Sequence, residues 1–199
     1  MDRKIIILIG SLILSSCFST TFNKGRFKKF VPVQSQNHLL KKNGYYFYET
    51  GVYRHNNYVP YGTGAVPLDS TRIKVIDGII FYENAKVYIT NHFDGLLFEK
   101  ENSLEVAQEK LENRIDAYNL KGIDTMNTHI STLGKYEIRN DTITIQYFRF
   151  SFGDRFLTEV KGILKDSNNF HLFERTDFSN SWSKPKPYAI NKKYTFKEY

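Results

Sequence analysis

The chain is poor in the residues on which specialised scaffolds depend. Its 199 residues include one cysteine, one tryptophan and five prolines. A single cysteine cannot form a disulfide within the chain, so a folded body must be stabilised by packing. The main apolar run, at 5–14, is too short for a membrane-spanning helix, which takes about 20 residues. A disulfide-rich scaffold and a bundle of membrane-spanning helices are therefore excluded.

The motifs of local catalytic and metal sites are also missing. The five histidines are isolated in sequence, with no His-x-His or His-Glu-x-x-His pair and no second cysteine to complete a zinc site. No Gly-x-Ser-x-Gly elbow provides a nucleophile. We therefore predict no metal ion and no cofactor. A hydrolase that uses two carboxylates is the enzymatic alternative.

The first seventeen residues have the layout of a secretory signal peptide. Arg3 and Lys4 precede the apolar run, which ends in Leu14-Ser15-Ser16-Cys17. This ending resembles a bacterial lipobox, in which the cysteine is diacylated and becomes the mature N-terminus. We therefore predict a signal peptide at 1–16 and lipidation of Cys17. Two alternatives stay open: an ordinary cleavage site with a free thiol, and a buried N-terminal strand or helix.

Positive charge is concentrated next to this predicted anchor. The chain has a formal net charge of +7, and four basic residues at 24–29 follow the cysteine closely. Beside a lipid anchor, such a basic tether favours anionic head groups of the membrane; a solvated linker is the alternative. Export to the cell envelope argues against nucleic acid as a partner. We assign 17–43 to the lipidated tether and 44–199 to a single β-rich domain.

From residue 44 onward the composition is typical of β structure. Aromatic residues make up 16% of the chain, and β-branched residues alternate with polar ones. In the first predicted strand, Tyr45 and Phe47 share one face, and Tyr46 and Tyr48 share the other. Turn signals recur about every 8–12 residues, which predicts a sandwich or a sheet that closes on itself. The predicted strands are 45–53, 73–76, 79–82, 86–90, 96–99, 135–139, 142–150, 156–165, 170–176 and a short last strand near 188 and 194–196.

Two local signals complete the expected architecture. Asp77-Gly78 is a strong two-residue hairpin signal between two of these strands. At about 103–121 the apolar residues fall at helical spacing, with Asn102 and Glu105 as a capping box and Gly122 as the stop. We predict one amphipathic helix whose apolar stripe packs against the sheet or across one end of it.

Four short motifs stand out in the β-rich part of the chain. They are Gly44-Tyr45-Tyr46-Phe47-Tyr48, the stretch from Phe81 to Tyr88 with Asn84-Ala85 at its turn, Gly134-Lys135-Tyr136, and Gly162-Ile163-Leu164. This set resembles small lipocalin-like envelope lipoproteins of bacteria, although Ala85 replaces the usual turn glycine. The resemblance implies a mostly β fold, an antiparallel meander that forms a lipocalin-like barrel or a strongly curved sheet. It implies no functional residue other than Cys17.

Candidate ligand-binding residues come from the tyrosine-rich strands. Aromatic rings with hydroxyl groups suit apolar pockets and polar ligands alike, while packing within the sheet is their alternative role. Glu174 is predicted to share a strand face with Phe170 and Leu172, which would make it a carboxylate inside the barrel. The residues that we select as candidate ligand contacts are Tyr46, Tyr48, Tyr147 and Glu174.

Three functions are left open. The first is a lipid-anchored, non-catalytic barrel that binds a small apolar or amphipathic molecule. The second is a structural or interaction protein of the envelope, with a barrel filled by its own side chains and another envelope protein as its partner. The third is a hydrolase. Because Phe18 rather than aspartate follows the cysteine, we expect attachment to the outer membrane, facing the periplasm.

Overall fold

The computed structural model describes residues 23–32, 40–55, 70–97, 101–118, 133–151, 154–178 and 184–199. The predicted signal peptide, Cys17 and Gly122 lie outside these residues. The described part contains two helices, and neither is long and apolar enough to cross a bilayer.

Eight antiparallel strands close into a barrel, which confirms the predicted fold class. The elements are α1 (Lys24–Lys29), β1 (Gly44–His55), β2 (Ser70–Phe81), β3 (Lys86–Asp94), β4 (Leu96–Leu97), β5 (Glu101–Asn102), α2 (Leu104–Ala117), β6 (Leu133–Arg139), β7 (Thr142–Ser151), β8 (Asp154–Leu164), β9 (Asn169–Phe178) and β10 (Pro187–Glu198). Around the barrel the strand order is β1-β10-β9-β8-β7-β6-β3-β2, and β2 pairs with β1 to close the ring. The predicted strand at 96–99 does not continue the meander, because its described part, β4, pairs with β5 in a separate ladder.

The two ends of the barrel differ. At the end that we name the tight-turn end, short turns join β2 to β3, β6 to β7 and β8 to β9. At the opposite end, which we name the loop end, β1, β7 and β9 finish at His55, Ser151 and Phe178. Strand β10 is longer than predicted, because it pairs with β9 along one edge and with β1 along the other.

Aromatic rings fill the barrel near the tight-turn end. Tyr46 and Tyr48 point inward from β1 while Tyr45 and Phe47 point outward, which confirms the predicted alternation. The ring of Phe81 lies 5.6 Å from that of Tyr46 and 4.9 Å from that of Tyr136, both edge-on. Such contacts contribute about 0.5–1.5 kcal/mol each beyond the area that they bury. This half of the interior is therefore a packed core.

Helix α2 packs against the outside of the barrel, as the apolar stripe predicted. Its buried residues Ala107, Leu111 and Ile115 join an outer cluster on β1, β2 and β3. The N-cap of the helix is Ser103 rather than Asn102, since the Ser103 hydroxyl accepts a hydrogen bond from the Val106 amide at 3.1 Å. The predicted cap is thus wrong by one residue.

The hairpin predicted at Asp77-Gly78 is wrong. Strand β2 continues through both residues, and the turn follows at Asn84-Ala85, where Ala85 adopts a φ of 57°. Two long-range contacts outweigh the local turn preference. The Asp77 carboxylate pairs with a lysine inside the barrel, and Gly78 lets helix α2 approach, because a Cβ there would lie 2.8 Å from Leu111 Cδ2.

Candidate functional site

An ion pair lies inside the barrel, on the side of the core that faces the loop end. Asp77 of β2 is directly opposite the inward-pointing Tyr48, and Lys192 of β10 is directly opposite the inward-pointing Leu172. The Lys192 Nζ atom lies 2.7 Å from the Asp77 Oδ2 atom and 5.3 Å from the centre of the Tyr48 ring. Strand β2 alternates regularly here, so Asp77 shares the inner face with Ile79 while Ile76 faces α2; the register shift beside it places its extra residue on β3.

A second carboxylate inside the same half, that of Asp177, is held by several donors. The Arg175 guanidinium donates two hydrogen bonds of 2.9 Å, one to each carboxylate oxygen. The Thr158 hydroxyl donates at 2.8 Å and the Tyr188 hydroxyl at 3.1 Å. Arg149 lies at the edge of the cluster, with its Nη1 atom 4.0 Å from Asp177 Oδ2. We name this group, together with Asp77, Lys192, Tyr48, Tyr147 and Tyr194, the interior cluster.

Solvent access increases along the cluster towards the loop end. The Asp77 side chain is 4% exposed, whereas its partner Lys192 is 34% exposed and Arg149 is 42% exposed. A charged side chain that points into a barrel and is still one third exposed lies beside an opening. The interior cluster is therefore reached by water from the loop end, while the aromatic core closes the other end.

Burial keeps the tyrosines of the cluster protonated. Desolvation raises the pKa of Tyr147 to about 12, with the charges of Arg175, Asp177 and Asp77 as smaller influences. Desolvation also raises the pKa of Tyr194 well above its usual value. Both hydroxyl groups therefore carry their protons at neutral pH and are available as hydrogen-bond donors to a polar ligand.

Three of the four predicted ligand contacts lie inside the barrel. Tyr48 and Tyr147 belong to the interior cluster. Tyr46 lies in the aromatic core, where its hydroxyl donates to the Ser167 carbonyl at 2.9 Å and accepts from the Lys41 amide at 3.0 Å. Burial raises the pKa of Tyr46 to about 12. With both contacts made within the protein, its hydroxyl has a structural role near the tight-turn end.

The face predicted for Glu174 is wrong. Leu172 points inward, but a register shift between β8 and β9 places Glu174 opposite Lys161, whose neighbours Val160 and Gly162 face the interior. The Lys161 Nζ atom donates a 2.8 Å hydrogen bond to Glu174 Oε1 on the outer surface. The extra residue of the bulge moves Glu174 to the other face of β9, and Arg175 enters the barrel in its place.

Five charged residues of the interior cluster were not predicted from the sequence. These are Asp77, Arg149, Arg175, Asp177 and Lys192. A signal was present in β10, because Lys192 falls at two-residue spacing between the apolar Ile190 and Tyr194 and so shares their strand face. In β2 the Asp-Gly turn signal concealed Asp77, and in β9 the bulge concealed Arg175. Except for Arg149, which follows from the regular alternation of β7, these positions depend on a bulge or on a pairing between distant strands.

The chemistry of the cluster favours binding over catalysis. Asp77 and Asp177 are two carboxylates inside one barrel, as a hydrolase would need, but both are engaged by cationic or hydroxyl donors. Their oxygens are therefore occupied by donors of the protein rather than directed at a substrate. Among the residues that the structure describes, no group of three His, Cys, Asp or Glu side chains could hold a metal ion. His171 lies on β9, with its Nε2 atom 2.9 Å from Asn191 Oδ1.

Two grooves on the outer surface are weaker candidates. One, of about 430 Å³, is lined by Glu49, Arg72, Lys74 and Asn102 near the start of α2. The other, of about 190 Å³, lies between Tyr82, Ile115 and the C-terminal Tyr199. Neither contains a buried ion pair, so we place the candidate site in the interior cluster.

Comparisons of the chain with protein-family models, with curated proteins and with solved structures found no match. Membership of the lipocalin-like lipoproteins therefore stays a prediction from the sequence motifs.

Proposed function

We propose that the protein is a lipid-anchored envelope protein whose barrel binds a small amphipathic molecule at its loop end. The observation that supports this proposal is the interior cluster, in which buried and water-accessible charges lie side by side. Packed apolar residues would stabilise a barrel interior as well as an ion pair does, or better. Charges inside the barrel therefore suit the recognition of a ligand more than they suit stability.

The cluster favours a ligand with an acidic or strongly polar group at one end. Arg149, Arg175 and Lys192 supply three cationic groups against the two carboxylates. Guanidinium groups and tyrosine hydroxyls both donate to carboxylate or phosphate oxygens. The ring of Tyr48, which is only partly buried and lies against Lys192, offers apolar surface next to these donors. The ligand would bind with its polar end against the cations.

The sequence supports the anchor and the location. The leader at 1–16 and the small residues before Cys17 favour export and lipidation, and the residue after Cys17 favours the outer membrane with the barrel in the periplasm. Two or three acyl chains would hold the protein firmly, since one chain binds only marginally. A membrane-held barrel would meet amphipathic molecules as they leave or enter the bilayer.

Native mass spectrometry of the detergent-purified protein tests the proposal. We expect a bound small molecule in addition to the acyl chains on Cys17. Arg149→Met removes a cation at the water-accessible edge of the cluster and should lower the bound fraction several-fold. Arg139→Met is the matched control, because this exposed arginine pairs with Glu137 at the tight-turn end. Repeated absence of a bound molecule, or equal loss in both variants, would contradict the binding function.

One observation favours the alternative of an interaction protein. Half of the barrel is filled by its own aromatic core, and Phe150 near the loop end is 64% exposed. If no small molecule is found, an envelope protein that contacts this end becomes the better assignment. Crosslinking from position 150 in intact cells would then identify the partner.

A further inference from the structure

The short helix α1 is fastened to the barrel wall near the loop end. The Asn23 side-chain amide donates a 2.8 Å hydrogen bond to the carbonyl of Phe178, the last residue of β9. The Arg26 guanidinium lies 4.1 Å from the centre of the Phe178 ring, and the Phe27 ring lies 5.0 Å from that of Phe148. Asn23 is thus held at the loop-end rim of the barrel.

The spacing to the predicted anchor then limits which end of the barrel can touch a membrane. Cys17 precedes Asn23 by six residues, and a fully extended chain spans at most about 3.3–3.6 Å per residue, or about 20 Å here. Strand β7 has 10 residues, so at about 3.3 Å per residue and a tilt of about 40° the barrel wall is about 25 Å tall. An anchor at Cys17 reaches a bilayer at the loop end, but it is too short to bring the tight-turn end there.

The charges of the described residues also differ between the two ends, and the difference favours the loop end as the end that meets the membrane. At the loop end the exposed Lys24 begins helix α1, which contains no acidic residue, and the exposed Lys184 and Lys186 precede β10. Farther along the helix Arg26 pairs with Glu159 of β8 at 3.7 Å. At the tight-turn end each turn carries an exposed acidic residue, which is Glu83, Asp141 or Asp166, although basic residues lie nearby. An anionic head-group surface attracts the first end more strongly than the second. The exposed Phe150 adds an apolar ring at this end, and such side chains enter the boundary between head groups and acyl chains.

We infer that the loop end of the barrel, flanked by α1, rests on a bilayer surface that contains anionic phospholipid. This inference builds on the proposed lipid anchor and deepens the proposed function. With that orientation, the water-accessible edge of the interior cluster faces the membrane, and an amphipathic ligand passes between bilayer and barrel without crossing the periplasm.

Fluorescence quenching in vesicles tests the orientation. The lipidated protein is incorporated into vesicles of phosphatidylcholine with phosphatidylglycerol, with a quencher carried by the lipid. A reporter cysteine replaces Phe150 at the loop end in one variant (Phe150→Cys) and Asp141 at the tight-turn end in the other (Asp141→Cys). We expect the label at 150 to be quenched several-fold more strongly. Equal quenching, or stronger quenching at 141, overturns the inference.

A second arm separates this inference from the anchor itself. In a Cys17→Ser background the same two labels are tested on vesicles with and without phosphatidylglycerol. Binding that requires the anionic lipid, with the same order of quenching, supports the inference even if Cys17 is never acylated.

The double variant Lys184→Glu, Lys186→Glu should weaken this binding several-fold more than the tight-turn control Lys86→Glu, Lys165→Glu. Failure to bind anionic vesicles in preference to neutral ones, or equal loss in both double variants, overturns the inference. If mass spectrometry shows that Cys17 carries no acyl chains, the lipid anchor of the proposed function is refuted, while the orientation is still decided by binding to the vesicles.

Discussion

Two lysine–carboxylate pairs of nearly equal length allow the interior of the barrel to be compared with its surface. The Lys192–Asp77 pair lies inside at 2.7 Å, and the Lys161–Glu174 pair lies outside at 2.8 Å. The two carboxylates differ in exposure, at 4% for Asp77 and 30% for Glu174. Replacement of each lysine by methionine therefore measures the effect of burial with the geometry held constant.

We expect Lys192→Met to destabilise the protein far more than Lys161→Met. Breaking a buried ion pair costs about 3–5 kcal/mol, because one desolvated charge loses its partner. Since Lys192 is itself 34% exposed, we lower the expected cost to about 2–4 kcal/mol. The outer pair is screened by water and contributes about 0–1 kcal/mol.

Urea unfolding followed by circular dichroism gives both free energies of unfolding. A third variant, Asp77→Asn with Lys192→Met, removes both charges and should recover at least half of the loss. Equal destabilisation by the two lysine substitutions would refute the placement of Asp77 and Lys192 inside the barrel. So would a cost below about 1 kcal/mol for Lys192→Met, which is typical of an exposed pair.

Three further predictions follow from single positions. Gly78→Ala should destabilise the protein by about 1–3 kcal/mol in urea unfolding, because the added Cβ would lie 2.8 Å from the buried Leu111. Gly25→Ala, in helix α1 with nothing within 4 Å, should leave the stability unchanged or raise it slightly. Ser103→Ala should cost about 1 kcal/mol by the same measurement, since it removes the N-cap of α2; no change would contradict the assigned helix start. Desolvation raises the pKa of Tyr147 from 10.0 to about 12, so the unfolded chain releases this proton first as pH rises. The contribution of Tyr147 to stability is intact below pH 10 and is lost between about pH 10 and 12. Over that window the Tyr147→Phe variant should therefore lose about 2 kcal/mol less of its free energy of unfolding than the unsubstituted protein, measured by alkaline unfolding with circular dichroism.

Much of the fold could be predicted because its signals are local. Alternation of side chains along β1 placed Tyr46 and Tyr48 on one face, and the break between the predicted strands 135–139 and 142–150 matches the turn between β6 and β7. The helical spacing after residue 102 predicted α2 within a few residues of its ends. Each of these signals depends on neighbours along the chain, so no knowledge of the closed barrel was needed.

The site could be predicted only in part, because its charges depend on bulges and on distant pairing. Glu174 was assigned to the interior by strict alternation, but one extra residue in β9 places Arg175 there instead. Asp77-Gly78 has the composition of a hairpin turn, yet it is held straight by Lys192 from the opposite end of the chain and by α2. A local rule cannot anticipate either contact, since the partner lies far away in sequence.

The sequence alone determined the period of the strands, the helix and the tyrosine-rich composition of the interior, because side-chain alternation and turn preference act over a few residues. The tertiary structure decided which charges face inward, since closing the barrel brings β2, β9 and β10 around one space and the bulges set the register there. It also decided that α1 lies at the loop-end rim. The physical reason is that burial and ion pairing between distant strands outweigh local preference wherever the two conflict.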